Sequence, residues 1–197
     1  MDQNPYAAPE SDLKVETRVE KTQFYVVSIQ KFTVLFLSSL GFYTVYWFYR
    51  NWKQYRDYTG QKLWPVARAI FSIFFAHRLF AEVDRSLSEN GRVFRWLPAA
   101  QATAYVVLSI ISKTLDRLAF KEIGSPYTDA LSLLILPFLY FALITPQRAI
   151  NHSQGDPDGS SNNNFTTVNY VWIVIGIALW ALSLLGLATS FALIDLE

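Results

Sequence analysis

The chain has 197 residues, 52% of them hydrophobic and 16% aromatic, which is too apolar for a soluble domain at the usual value of about 45–50% and points to a small bilayer-embedded bundle. Lys and Arg number 17 against 16 Asp and Glu, so no global field recruits nucleic acid. The absence of cysteine excludes disulfides, thiolate nucleophiles and Cys-based zinc sites together.

Residues 1–23, MDQNPYAAPESDLKVETRVEKTQ, hold five acids, three bases and two prolines. A cleavable signal needs a basic start followed at once by an apolar core, so insertion must use an internal segment. This head reads as a disordered polar tail ahead of a helical membrane domain over residues 24–197. The first apolar segment, near residues 32–50, ends in Tyr43, Tyr46, Trp47, Tyr49 and Trp52 with Arg50, Lys53 and Arg56 among and beyond them. Amphipathic rings beside cations suit a membrane–water interface, the ring body in the headgroup zone and the polar tip wet. Arg50, Lys53, Arg56, Lys62 and Arg68 are therefore candidate contacts to lipid headgroups.

Over residues 65–89, Pro65 suits the first turn of a helix. Arg68, Ser72, Arg78, Glu82, Arg85 and Glu89 fall mostly three or four apart, a polar stripe on a Phe-, Ile- and Leu-rich cylinder. Arg78 with Glu82 and Arg85 with Glu89 make i,i+4 pairs worth about 0.2–0.5 kcal/mol each. The uninterrupted apolar run, residues 69–76, is too short to span. An amphipathic helix along the membrane surface is expected, with a spanning helix that hides His77 and Arg78 as the alternative.

Residues 96–112, WLPAAQATAYVVLSIIS, meet the lower limit for a crossing. Residues 127–145 form a further span that Pro137 should kink, leaving a carbonyl for neighbouring helices to satisfy. From Pro146 to residue 167 the composition turns Gly-, Asn- and Ser-rich, a loop. Residues 170–194, YVWIVIGIALWALSLLGLATSFALI, run without one ionisable side chain and can cross a hydrocarbon core of roughly 30 Å. The expected fold class is all-α, an integral membrane helical bundle with about three to four membrane-embedded segments plus one amphipathic interfacial helix. No internal repeat or inverted pair of broken helices supports a repeat-built transporter.

Nine of the 17 cations lie between Arg50 and Arg95, and the positive-inside rule assigns that stretch to the cytoplasm and the C-terminus to the periplasm. If residues 32–50 cross fully, ten cations fall inside and seven outside; if they dip in and return near Ser38, Ser39 and Gly41, the division is fourteen against three. Charge favours the hairpin, and the cost of non-helical backbone at membrane depth opposes it. A crossing by residues 65–89 gives eight against eight, which removes the bias.

Gly41, Tyr43, Tyr46 and Trp47 form a G-x-Y-x-x-Y-W pattern running into the basic stretch. This resembles a group of small, uncharacterised multi-pass bacterial inner-membrane proteins in which a similar signature ends the first apolar segment. The NPYAAP head, residues 4–9, is similar to the start of many such proteins. The resemblance covers the first half of the chain and implies a location in the bacterial inner membrane; it carries no activity.

His77 beside Arg78, with Glu82 and Asp84 downstream, is the nearest approach to a titratable cluster, but the acids already have Arg78 and Arg85 as partners, which makes a structural ladder the better reading. Asp156 and Asp158 lack the further ligands and terminal Glu of a calcium loop and read as a turn. Gly176, Ser183, Gly186 and Ser190 fall close to one face of the last helix, where small residues permit close helix approach. No Asp, Glu, Lys or Arg lies in residues 96–112, 130–145 or 170–194, which speaks against a charged intramembrane path. No catalytic residue, metal or cofactor is assigned. The chain reads as a non-enzymatic membrane module binding lipid, other membrane proteins or itself, without nucleic acid. One alternative is a small transporter or channel component, with a path lined by Gln101, Thr103, Ser109, Ser112, Ser132 and Tyr140; a second is a membrane-embedded enzyme.

Overall fold

The computed structural model describes residues 22–194. The polar tail expected at the start lies outside them except for Thr22 and Gln23, as does the C-terminal end after residue 194. Among the described residues all regular structure is helical: α1 (Ile29–Ser38), α2 (Tyr43–Thr59), α3 (Pro65–Ile70), α4 (Ser72–Glu89), α5 (Pro98–Phe120), α6 (Tyr127–Leu134), α7 (Leu136–Ser153), a 3₁₀ turn (Ser160–Asn162) and α8 (Thr167–Ile194).

The apolar segment at residues 32–50 is two helices. α1 ends at Ser38, Leu40 enters the left-handed region at φ 52°, and the Gly41 amide returns to the Phe36 carbonyl at 2.9 Å, a six-to-one closure that caps the helix end. Ser39 Oγ then accepts from the Tyr43 amide at 2.9 Å and starts α2. Ten residues of α1 rise roughly 15 Å, half a hydrocarbon core. The aromatic cluster turns inward too: Trp47 and Trp52 are fully buried, and of the signature's rings Tyr46 is the exposed one. A ring on a helix satisfies the same pattern whether it faces headgroups or another helix, and here Trp47 sits among Phe32, Phe48 and Phe80.

Residues 65–89 break at Phe71 into α3 and α4. Of the expected polar stripe Arg78, Arg85 and Glu89 are exposed and Arg68 and Ser72 half-buried, whereas Glu82 is buried. Glu82 instead collects both arginines, Arg78 at 2.6 Å and Arg85 at 3.1 Å; Arg85 turns to Glu82 rather than to Glu89. α4 lies antiparallel to the start of α5, as the successive pairs Asp84 with Trp96, His77 with Thr103 and Ser72 with Tyr105 record.

Two stretches are long and apolar enough to cross a membrane, Tyr127–Ser153 and Thr167–Ala192. The first is interrupted at Ile135, where α6 meets α7, two residues before Pro137, which stands in the first turn of α7 where its missing amide is tolerated. α7 does not stop at Pro146 as its composition suggests, but continues to Ser153. The Ala142 carbonyl, which has no partner on Pro146, receives Gln101 Nε2 at 3.4 Å, with Phe141 O at 3.1 Å from the same amide. α5 carries charged turns at Lys113, Asp116 and Arg117 beyond the expected span.

Burial separates α8 from a soluble core helix. Only 6% of its most apolar stretch is buried, against 22% for the α6 and α7 stretch, and Val171, Val174, Ile177, Leu182 and Leu185 stand exposed around it. Water would charge that surface at about 25 cal/mol per Å², whereas lipid accepts it. Among the described residues the chain is all-helical, with two helices long and apolar enough to cross a membrane.

Candidate functional site

The best-built polar region lies where α1, α2, the end of α7 and the start of α8 meet. Residues 24–28 run extended through the core, and three buried amides satisfy their backbone. Asn51 Oδ1 accepts from the Tyr25 amide at 3.0 Å. Asn151 brackets Val27, donating to its carbonyl at 2.9 Å and accepting from its amide at 3.3 Å. Gln147 Nε2 donates to Tyr25 O at 3.2 Å and to Asn151 Oδ1 at 2.7 Å, while Trp47 Nε1 donates to Gln147 Oε1. The amides replace the neighbouring strand that an extended segment would otherwise need. Sequence reading missed Gln147 and Asn151 by assigning them to the loop; their three- and four-residue spacing with Leu143 and Ile150 was the available signal.

The Asn-rich loop is folded over this segment. Asn162 Nδ2 donates to Val26 O at 2.8 Å, and a Cβ on Gly159 would stand 2.6 Å from the Val27 carbonyl carbon. Asp156 shapes the turn by accepting the Ser160 and Ser161 amides, each at 2.8 Å. Burial pushes the Asp156 carboxyl up, but the bonds from Ser161 and Ser160 outweigh it and hold the group below its ordinary value.

The five candidate headgroup cations fall into different surroundings. Arg50 lies over the rings of Tyr25 and Tyr46, at 5.0 and 6.0 Å, and Arg68 over Trp52 and Phe75, at 4.3 and 5.1 Å. Desolvation lowers the Arg68 pKa, with Arg78 adding repulsion. Arg56 pairs with Asp57 at 2.8 Å. Lys53 is half-buried and Lys62 exposed, neither in an ion pair among the described residues. Lys31, which sequence reading counted only toward orientation, is 3% exposed and donates to Asn162 Oδ1 and Asn164 O, both at 2.7 Å. Desolvation lowers its pKa.

Lys31 and Arg50 line one cavity of about 350 Å³ at the start of α8, with Gln54, Asn162, Thr166 and Asn169. Thr166 and Asn169 cap α8 reciprocally, Asn169 Oδ1 accepting the Thr166 amide at 3.0 Å and Thr166 Oγ1 the Asn169 amide at 3.4 Å.

Of the four small residues assigned to packing, Gly176 is buried, Ser183 and Ser190 are half-buried, and Gly186 is exposed. Gly176 lies directly on the Ser38 carbonyl, beside the bond from Trp180 Nε1 to Leu37 O at 2.7 Å; around Gly186 there is open space. The contact seam runs through Ile173, Gly176, Trp180, Ser183, Leu187 and Ser190, and Gly186 falls beside it. Of the six path residues, Ser109, Ser112 and Ser132 share a cleft of about 490 Å³ with Ser183. Gln101 serves α7, Thr103 meets His77 at 3.1 Å, and the Tyr140 hydroxyl meets Thr33 at 2.8 Å. His77 thus has a hydroxyl neighbour, not the acids near it in sequence.

Comparison with known protein families, curated proteins and solved structures finds no match.

Proposed function

We propose that the protein is a non-enzymatic multi-pass membrane module that binds anionic lipid through the face carrying residues 50–95. The observation that carries this reading is the lipid-compatible surface of α8 beginning at an aromatic and cationic end. Tyr170 and Trp172 are exposed at its first turns, as interfacial rings are. The same end holds Lys31, Arg50 and Arg92, the last donating to Ser153 O. The broken first segment supports the hairpin orientation, which gathers fourteen of the 17 cations on the side of residues 50–95. That side is the cytoplasm under the positive-inside rule, with the C-terminus periplasmic in a bacterial inner membrane, the location that the G-x-Y-x-x-Y-W resemblance implies. Lys53, Arg56 and Lys62 then contribute about 1 kcal/mol each toward an anionic surface.

Two measurements test this. Single cysteines at Lys62 and at Glu197, exposed to a membrane-impermeant thiol reagent in intact cells, should label at 197 and not at 62; the reverse pattern overturns the orientation. Changing Lys53, Arg56 and Lys62 together to Gln should reduce co-purified anionic lipid with insertion unchanged. Undiminished lipid would restrict these charges to orienting the chain. The hydroxyl-lined cleft beside Ser109, Ser112, Ser132 and Ser183 favours a second reading, a small carrier, which solute flux in liposomes holding the purified protein would support.

A further inference from the structure

Lys31 and Arg50 face one cavity without an anion among the described residues. A buried charge is costly unless paired, yet no acidic residue lines the cavity that Lys31 and Arg50 share, and neither is in an ion pair among the described residues. Lys31 also sits in the first turn of α1, where the positive end of the helix dipole disfavours a cation and favours an anion. The start of α8 brings a second positive helix end to the same cavity through Thr166 and Asn169.

Donors remain unused there. Arg50 Nε is buried without a partner. Lys31 Nζ makes two of the three hydrogen bonds an ammonium can donate. Gln54 Oε1 is buried and unpartnered as well; an amide turned over, an assignment the hydrogen-bond network decides, would present Nε2 as a further donor. The missing component is an acceptor-rich anion.

We propose that Lys31 and Arg50, with Gln54 and Asn169 beside them, bind one phosphate group, and that its source is the headgroup of an anionic phospholipid. The depth of the cavity argues for the lipid. Thr166 directly precedes the apolar stretch Thr167–Ala192, which places the cavity at headgroup level if α8 spans, so this inference rests on the membrane reading above. It differs from the surface belt of Lys53, Arg56 and Lys62, which meets many lipids without holding any one of them.

The test titrates the detergent-solubilised full chain in separate arms with dioctanoyl phosphatidylglycerol, dioctanoyl phosphatidylcholine and inorganic phosphate, and native mass spectrometry counts the bound molecules. One phosphatidylglycerol per chain is expected, bound more tightly than phosphatidylcholine. Lys31→Gln and Arg50→Gln should each weaken it by about tenfold or more, the loss of one charge-assisted hydrogen bond, while Lys121→Gln changes nothing. Lys31→Arg keeps the charge and should retain binding, which separates loss of the ligand from damage to the loop that Lys31 pins. Inorganic phosphate binding with the same dependence on both residues, and as tightly as the lipid, would keep the site and make free phosphate its occupant. Binding indifferent to Lys31 and Arg50 overturns the proposal, as does binding that appears only once Glu16 and Glu20 are changed to Gln, since an internal carboxylate would then be the anion. Failure of the membrane reading is visible separately, as a chain that stays in the soluble fraction without detergent.

Discussion

Gly176→Ala tests the joint between α8 and the rest of the bundle. A Cβ there would stand 2.6 Å from the Ser38 carbonyl carbon and 3.3 Å from the Ser39 amide nitrogen. Carbon atoms in contact rest at about 3.5–4.0 Å, so α8 must retreat by about 1 Å or α1 must bend. Both opposing atoms are backbone, held by the turn that closes α1, so neither yields as a side-chain tip would. Overpacking of this kind costs about 1–3 kcal/mol. The same shift lengthens the bond from Trp180 Nε1 to Leu37 O, now 2.7 Å, beyond hydrogen-bond range, adding about 0.5–1.5 kcal/mol. The expected loss is about 2–4 kcal/mol, read as a lowered midpoint of thermal unfolding in detergent. Gly186→Ala, with open space at its Cβ, should leave the midpoint unchanged, and Trp180→Phe should reproduce only the hydrogen-bond part. A Gly176→Ala protein as stable as Gly186→Ala would refute the helix contact. A drop confined to Gly186→Leu, and dependent on protein concentration, would move the packing face to a contact between copies.

Gln147→Leu should destabilise by about 2–4 kcal/mol in chemical denaturation, because it strands the Trp47 indole N–H and the Tyr25 carbonyl in a dry core; an unchanged midpoint would mean that water replaces the amide. Gln101→Leu should cost about 1 kcal/mol or more by leaving the Ala142 carbonyl beneath Pro146 without a donor, again measured by unfolding in detergent. Asp156 has its pKa lowered in the folded chain, so its contribution is complete above the unfolded carboxylate value of about 4 and is lost as pH falls through the folded value. Asp156→Asn should flatten the acid limb of stability against pH in that window, and an acid limb identical to that of the parent chain would refute the turn's dependence on the carboxylate.

The amino-acid sequence by itself determined the helical class and the long apolar helix at its end, since 25 residues without an ionisable group over 170–194 must satisfy their backbone internally wherever water is excluded. It also located the helix break near Pro137 and the turn at Asp156, because the missing amide of proline and the carboxylate acceptor act within a few residues of themselves. Which way a side chain faces was left to the tertiary structure. Trp47 and Trp52 satisfy an interfacial pattern as well as a core pattern until Phe32, Phe48 and Phe80 are placed around them. Gly176 and Gly186 are equally small, and only the path of α1 selects one of them. Pro146 ends a helix unless another chain segment supplies the lost partner, which Gln101 does from 41 residues away. Lys31 and Arg50, nineteen positions apart, come to line one cavity only because residues 24–28 and the Asn-rich loop bring the start of α1 beside α2 and α8. Local chemistry is written along the chain, whereas a pairing of distant groups depends on the summed burial that places helices against one another.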